Sequence, residues 1–468
     1  MNARTRLFAL LALPLVACVS SDEADTGKPA DAASSEQPVP VEGCTEGDGP
    51  VLDVEATLTG IETVVRVRWR TEEETRGQVH FLTSTGVRET AWRAGTEHQV
   101  LLVGNRALTD VPFRIVTDAG GDVSCGVLRT ITTGPLPSGL PALTVEVDPD
   151  HVVEGGGYTI APIILLDSPY VAILDSGGQY VWAWADPSGD YGGTYFNADI
   201  DLARGGIWVN EQAVSEDSDG YVRHVNFDGA LAEPVAVEGG HTDFVELPDG
   251  GIASLSWDIR DYEGSRYLGD RIVEVSPTGA LREVWNVWDH YTPDPNEDWS
   301  GGFYVPDPEV RDWSHVNAIS YSAAEDAYFV SLPFLKAVAR IERATGAMTW
   351  LIEGLPRVEN PHSVQFLGDT VLVFNRGDVT NKTTCSRANE IRIADGEIVW
   401  SYLSDRCLLV PFLGNAQRLP DGDTLVVYSS AGQMDEVGPG GDLLWRVNLD
   451  LGAAFGFSER VDSLYPAE

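Results

Sequence analysis

Short runs in which apolar and polar residues alternate, separated by glycine-rich or acidic turns, dominate the chain, and no stretch sustains an apolar period of 3.6 residues. VVRVRWR (64–70), QVHFLTS (78–84) and HQVLLVG (98–104), followed by FRIVTDAGGDVSCGVLRTITTG (113–134), predict a small β-sandwich over residues 51–135. His80 and His98 fall in these strands and read as core or surface polar residues. Beyond residue 136 a turn followed by a strand rich in apolar and aromatic residues recurs. Its copies are GQYVW (178–182), GALAEPV (229–235), GALREVW (279–285), GAMTW (346–350), GEIVW (396–400) and GDLLW (441–445). These six copies are spaced by roughly forty-five to sixty-seven residues, the length of a four-stranded propeller blade with its loops. Hairpins lie between them: HTDFVELPDGGIASLSW (241–257), HVNAISYSAAEDAYFVSL (315–332), HSVQFLGDTVLVFNRG (362–377) and NAQRLPDGDTLVVYSS (415–430). A third strand follows, as in RIVEVSP (271–277), AVARIER (337–343) and NEIRIAD (389–395). The expected fold is all-β: a six-bladed β-propeller over 136–468, in which neighbouring blades bury each other's faces and ring closure protects their edges. The tryptophans of the repeat are then packing residues between blades.

The amino-terminal region has a different pattern. Arg4 and Arg6 precede a short apolar run, Leu7 to Val16, and Leu15-Val16-Ala17 leads into Cys18. The run is too short to span a bilayer as a helix. It resembles a bacterial lipoprotein signal, which implies cleavage after residue 17, lipid on Cys18 and an exported, membrane-anchored protein, periplasmic or at the cell surface. The other reading is an ordinary secretory signal with an incidental cysteine. Residues 18–50, rich in Ser, Ala, Pro and acidic residues, suit a solvated tether. Cys44, Cys125, Cys385 and Cys407 remain, an even number that favours disulfides in an oxidising compartment. Pairing Cys44 with Cys125 and Cys385 with Cys407 keeps each bridge within one predicted unit. The strand rhythm of 51–135 is similar to that of a fibronectin type III or immunoglobulin-like module.

Charge narrows the partners. Lys and Arg number 31 against 72 Asp and Glu, a formal charge of −41, and the lysines are Lys28, Lys336 and Lys382 alone. Nucleic acid and anionic bilayers, which are held by clustered basic residues, are excluded as main partners, so the expected membrane contact is through the lipid only. No Gly-rich loop opens a helix as a phosphate cradle would, and no Gly-x-Ser-x-Gly elbow is present. No cofactor is implied.

Propeller geometry gives the candidate site. Residues that open the innermost strands converge at one mouth of the central channel, and three hairpins carry histidine there: His241, His315 and His362. Equivalent repeat positions argue for a shared site. Three imidazoles can also bind zinc or iron, with Asp243 or Asp312 behind them, and a lipid-anchored binding module without catalysis is the third class.

At these residues the chain resembles the bacterial arylsulfate sulfotransferase family. DWSHVNAISY (312–321), IERATGAMTWLIEG (341–354), HTDFVELPDGG, PHSVQF and the ending FGFSERVDSLYP carry the resemblance, which covers roughly 140–468. It implies a six-bladed propeller that moves a sulfuryl group from a phenolic sulfate ester to a phenol without the nucleotide donor PAPS, through a sulfohistidine. His362 then matches the nucleophile, and His241 and His315 match the other two active-site histidines, with no metal. Asn317 and Arg376 are the candidate substrate-binding residues. The family's arginine falls where this chain has Pro333, which leaves Arg376 or Arg260 to supply the charge.

Overall fold

The computed structural model describes residues 45–47, 49–147, 157–165, 169–185, 195–215, 217–297, 299–301, 307, 309–378, 381–450 and 452–466. The predicted signal, Cys18 and Cys44 lie outside the described residues. The chain divides into two compact units. Of the described residues, one unit comprises those within 45–57, 66–102 and 110–132; the other comprises those within 58–65, 103–109 and 133–466.

The smaller unit is built on one hydrogen-bonded sheet of eight strands, threaded by the 19-residue strand Val65–Thr83. Its first half carries Arg68 and Arg70, whose side chains donate to Gln99 and Asp53 on flanking strands. Its second half pairs with Asp110–Asp118 and Gly86–Glu89. Val67, Trp69, Val79, Phe81, Val100, Phe113 and Ile115 are buried in it. His98 stacks on Trp69 at 4.8 Å, and His80 sits 2.7 Å from Gln78; burial depresses both imidazoles below their ordinary pKa. They are core residues of this unit.

The larger unit is the six-bladed propeller that the repeat predicts. Blades 2 to 6 each begin with their inner strand: Tyr195–Asp201, Gly240–Glu246, Ala318–Ser322, Pro361–Phe366 and Asn415–Arg418. The second strands of blades 4 and 6, Ala327–Leu332 and Thr424–Tyr428, are buried along their whole length, as strands covered on both faces must be. Each glycine of the repeat (Gly178, Gly229, Gly279, Gly346, Gly396, Gly441) has a φ between 68° and 87°. That region is open to glycine at little cost, so the turn before every outer strand is fixed by one residue type. Trp182, Trp285 and Trp445 are buried between blades, whereas Trp350 and Trp400 are half-buried.

Closure comes from the chain ends. Blade 1 takes Tyr158–Ile164, Tyr170–Leu174 and Tyr180–Trp184 from its own stretch of sequence, but its inner edge is Ala454–Phe455 and Glu459–Val461. Leu143–Val147 adds a fifth, outermost strand to blade 6, beside Leu443–Leu449. The inner strands are stitched around the ring. Asn197 Nδ2 donates to Asp243 Oδ1 at 2.6 Å and Ile319 N to Asp243 Oδ2 at 2.8 Å. Ser320 Oγ donates to Val364 O, Ala416 N to Ser363 Oγ, Ser458 N to Asn415 Oδ1 and Phe457 N to Phe196 O. These six bonds join all six blade pairs, so the inner strands move as one ring.

Asp243, at the hub of this stitching, has its carboxyl pushed up to about 7 by burial, against the pull of its three donors. Burial raises Glu459 to about 7 as well. A raised carboxyl favours the folded state while protonated, so its contribution is lost as pH rises through the folded value. His80, His98, His224, His315 and His362 have lowered values, so their contribution grows as pH rises through the unfolded value near 6.5 and opposes that of the carboxyls. In the difference between wild type and Asp243→Asn the histidines cancel, and wild type should lose about 1–2 kcal/mol relative to the variant between about pH 5 and 7 and then level. Thermal unfolding of the two proteins across that range checks this; a difference that does not change with pH would refute the assignment.

Candidate active site

Three consecutive blades bring the histidines to one end of the inner strands. His241 is the second residue of its strand in blade 3, His362 the second of its strand in blade 5, and His315 stands in the turn leading to Ala318–Ser322 in blade 4. The ladders slip next to two of them, between His241 and Phe244 and between Pro361 and Val364. Thr242 (φ 48°), His315 (φ 52°) and Asn360 (φ 50°) adopt the left-handed region, at a cost of about 1–3 kcal/mol each for such residues. The flanking ring bonds hold this shape in place.

Each imidazole has an aromatic wall: Trp257 stacks on His241 at 5.7 Å, Phe334 on His315 at 4.6 Å, and Phe457 tilts against His362 at 5.1 Å. Two also face carboxylates. Asp270 Oδ1 lies 3.1 Å from His241 Nε2, while His241 Nδ1 lies 3.0 Å from Thr242 Oγ1. His315 Nδ1 makes a short hydrogen bond with Asp312 Oδ2. Burial first, then the Arg376 charge, holds His315 well below the ordinary imidazole range. Burial, Arg376 and His315, in that order, do the same for His362. Both rings are neutral at physiological pH, with a lone pair available for attack or proton transfer. Burial and the neighbouring Asp270 charge raise the Asp312 carboxyl well above its usual range.

Arg376 follows the second strand of blade 5 and is 5% exposed. Its Nε donates to Asn360 O at 3.3 Å and its Nη1 to Pro411 O at 2.9 Å. Ser386 Oγ donates to Arg376 O and accepts from Val410 N. The adjoining Cys385 is disulfide-bonded to Cys407, so the bridge ties together the two segments that cradle Arg376. Cys125 is also disulfide-bonded, and the partner expected for it, Cys44, lies outside the described residues. Asn317 is fully buried; Ser331 Oγ donates to its Oδ1 at 2.6 Å, which fixes the amide and leaves Nδ2 as a buried donor with no partner.

The structure thus brings His241, His315, His362 and Arg376 within electrostatic reach, with Asn317 two residues along the chain from His315, and it separates Arg260 from them. Arg260 is half-exposed, paired with Asp258 and stacked over Trp288 at 5.4 Å. Pro333 opens the turn that presents Phe334 to His315, so an aromatic ring stands where the arginine is expected, and the charge arrives from blade 5. Among the described residues no group of three or more His, Cys, Asp or Glu is arranged to hold a metal ion, which does not meet the geometry of the three-imidazole metal alternative. Sequence reasoning missed Asp270, Trp257, Phe334 and Phe457.

Residues 163–357 match the family model for arylsulfotransferase (ASST), a span that includes His241 and His315 and ends before His362. Among curated proteins none matches the chain. Similar solved structures include a protein of unknown function from Bacteroides caccae, at 14% identity, covering 66% of this chain and 100% of that one, TM-score 0.44. A streptogramin B lyase is 13% identical over 65% of this chain and 86% of its own, TM-score 0.35. A nidogen/laminin complex chain is 10% identical over 71% and 95%, TM-score 0.37. The match makes residues 163–357 similar to the arylsulfotransferase family, and that similarity supports aryl sulfotransferase activity in general, with an aryl sulfate donor and a phenol acceptor as the family implies.

Proposed function

We propose that the chain moves a sulfuryl group from a phenolic sulfate ester to a phenol, without a nucleotide donor, through a covalent sulfo-His362 intermediate. The observation that carries this reading is a buried, neutral His362 beside a buried guanidinium and a second neutral imidazole. In the first half-reaction the His362 lone pair attacks sulfur and the bond from sulfur to the aryl oxygen breaks. The electron pair leaves on that oxygen as a phenolate, which accepts a hydrogen bond from an N–H of a neighbouring neutral imidazole and is then protonated from solvent. In the second half the acceptor phenol gives its proton to the lone pair of that imidazole, its oxygen attacks sulfur, and the nitrogen–sulfur bond breaks to restore His362, the proton passing on to solvent. Arg376 and Asn317 Nδ2 supply donors to the sulfuryl oxygens as charge shifts, in a site where such donors are worth more than in water.

Of the two flanking rings His315 is the better placed to take the acceptor's proton. Its Nδ1 contact with Asp312 fixes the tautomer and directs Nε2 away from the carboxyl. The donor ester itself supplies the sulfuryl group, so an exported chain, anchored by lipid on Cys18, needs no cytoplasmic nucleotide for the reaction. Incubation with 4-nitrophenyl sulfate and phenol, nucleotide omitted, is expected to release nitrophenol and yield phenyl sulfate. Absence of nitrophenol across a panel of aryl sulfate donors would instead favour a propeller that binds without turnover.

A further inference from the structure

We propose that Asp270 is a positioning residue for two of the three histidines at once: one carboxylate oxygen orients His241, and the other holds the turn that presents His315. The inference rests on the site reading above. Asp270 lies on the third strand of blade 3 (Ser265–Val275), directly across the ladder from Trp257, and is fully buried. The same cross-strand pair therefore delivers the ring that stacks on His241 and the carboxylate that faces its Nε2 at 3.1 Å. That contact is close but imperfectly aligned, and a proton must lie between the atoms, because an imidazole lone pair and a carboxylate oxygen repel at this distance. Nε2 therefore carries the hydrogen, and Nδ1 accepts from Thr242 Oγ1.

The second oxygen acts on the backbone. Asp270 Oδ2 accepts from Ser314 Oγ at 2.5 Å and from Val316 N at 2.7 Å. These residues bracket His315, which sits in the left-handed region that a histidine seldom adopts. A two-point grip on either side offsets the strain at the residue between. A tie needed only to join blade 3 to the turn could be made by a neutral side chain, without the cost of burying a carboxylate. The charge has a use only at the imidazoles, where it opposes the depression of His315 by Arg376 and raises the neighbouring Asp312 carboxyl.

Asp270→Asn keeps the shape and can still accept from Ser314 and Val316, but it offers His241 an amide in place of a charge. We expect the ring nitrogen NMR signature of His241 to change in this variant, and turnover of 4-nitrophenyl sulfate to fall roughly 10- to 100-fold, mostly in kcat rather than KM. Ser314→Ala loosens only the other arm: the His315 ring signals should move and those of His241 stay. An Asp270→Asn protein with wild-type unfolding temperature and unchanged His241 ring signals overturns the first arm; Ser314→Ala with unchanged His315 signals overturns the second. Ring spectra need no substrate. A wild-type chain that released no nitrophenol would sink the sulfuryl-transfer reading while the hold of Asp270 was still judged by the spectra.

Discussion

Replacing His362 with alanine is expected to lower sulfuryl transfer by ~10⁴-fold or more, the scale on which removal of an attacking group is felt, while the propeller stays folded. The loss is larger than for either neighbour because only the nucleophile forms the covalent bond. His241→Ala and His315→Ala remove proton transfer and positioning, contributions typically worth 10²- to 10⁴-fold. The fold tolerates the change because the inner strand of blade 5 is anchored by other atoms. Ser320 Oγ donates to Val364 O, Ala416 N to Ser363 Oγ and Arg418 N to Gln365 Oε1. What the alanine leaves is a small void against Phe457, and a truncation of this kind costs about 1–3 kcal/mol. Mixing enzyme and 4-nitrophenyl sulfate without acceptor provides the measurement. The wild type should give a burst of nitrophenol stoichiometric with enzyme and gain one SO₃ by intact mass. The variant should give neither, and activity within tenfold of wild type would remove His362 from the role.

The repeat was legible because it is local. A glycine that tolerates positive φ, followed by an apolar strand with a tryptophan, is written afresh in most blades, and Gly178 to Gly441 all take that conformation. Register within the repeat then located His241, His315 and His362. Ring closure was hidden because it joins distant segments: nothing around Glu459–Val461 says that it will pair with Tyr158–Ile164. Arg376 was hard to rank for the same reason. It reaches the site from blade 5 through the carbonyls of Asn360 and Pro411, while linear comparison pointed to position 333 in blade 4. Asp270 did leave a signal. Glu263 and Gly264 both have positive φ and form a two-residue hairpin turn, and counting back along the ladder from Tyr262 and Ser265 sets Trp257 opposite Asp270.

Arg376→Gln is expected to lower kcat/KM for the sulfate donor by about 10²- to 10³-fold, as loss of a preorganised donor to a developing charge does elsewhere. It should also move the acid limb of the pH profile. Arg376 is second only to burial in holding His362 below its ordinary pKa, and likewise for His315. Attack requires the neutral ring, so wild-type kcat/KM should stay level from pH 8 to well below 6.5. Without the guanidinium the value climbs back toward 6.5, and activity should fail at higher pH than in the wild type. The chain carries a formal charge of −41, yet exposed carboxylates farther from the mouth than about 8 Å are largely screened at physiological ionic strength. A buried guanidinium is screened far less, so Arg376 is expected to be the charge that offsets the acidic surface for a small sulfate ester. Arg376→Lys separates charge from geometry. It should return the acid limb toward its wild-type position but recover little of kcat, because an ammonium lacks the planar fork that grips two oxygens. A glutamine variant with an unmoved acid limb and less than a threefold loss would place the sulfate-holding charge on another residue.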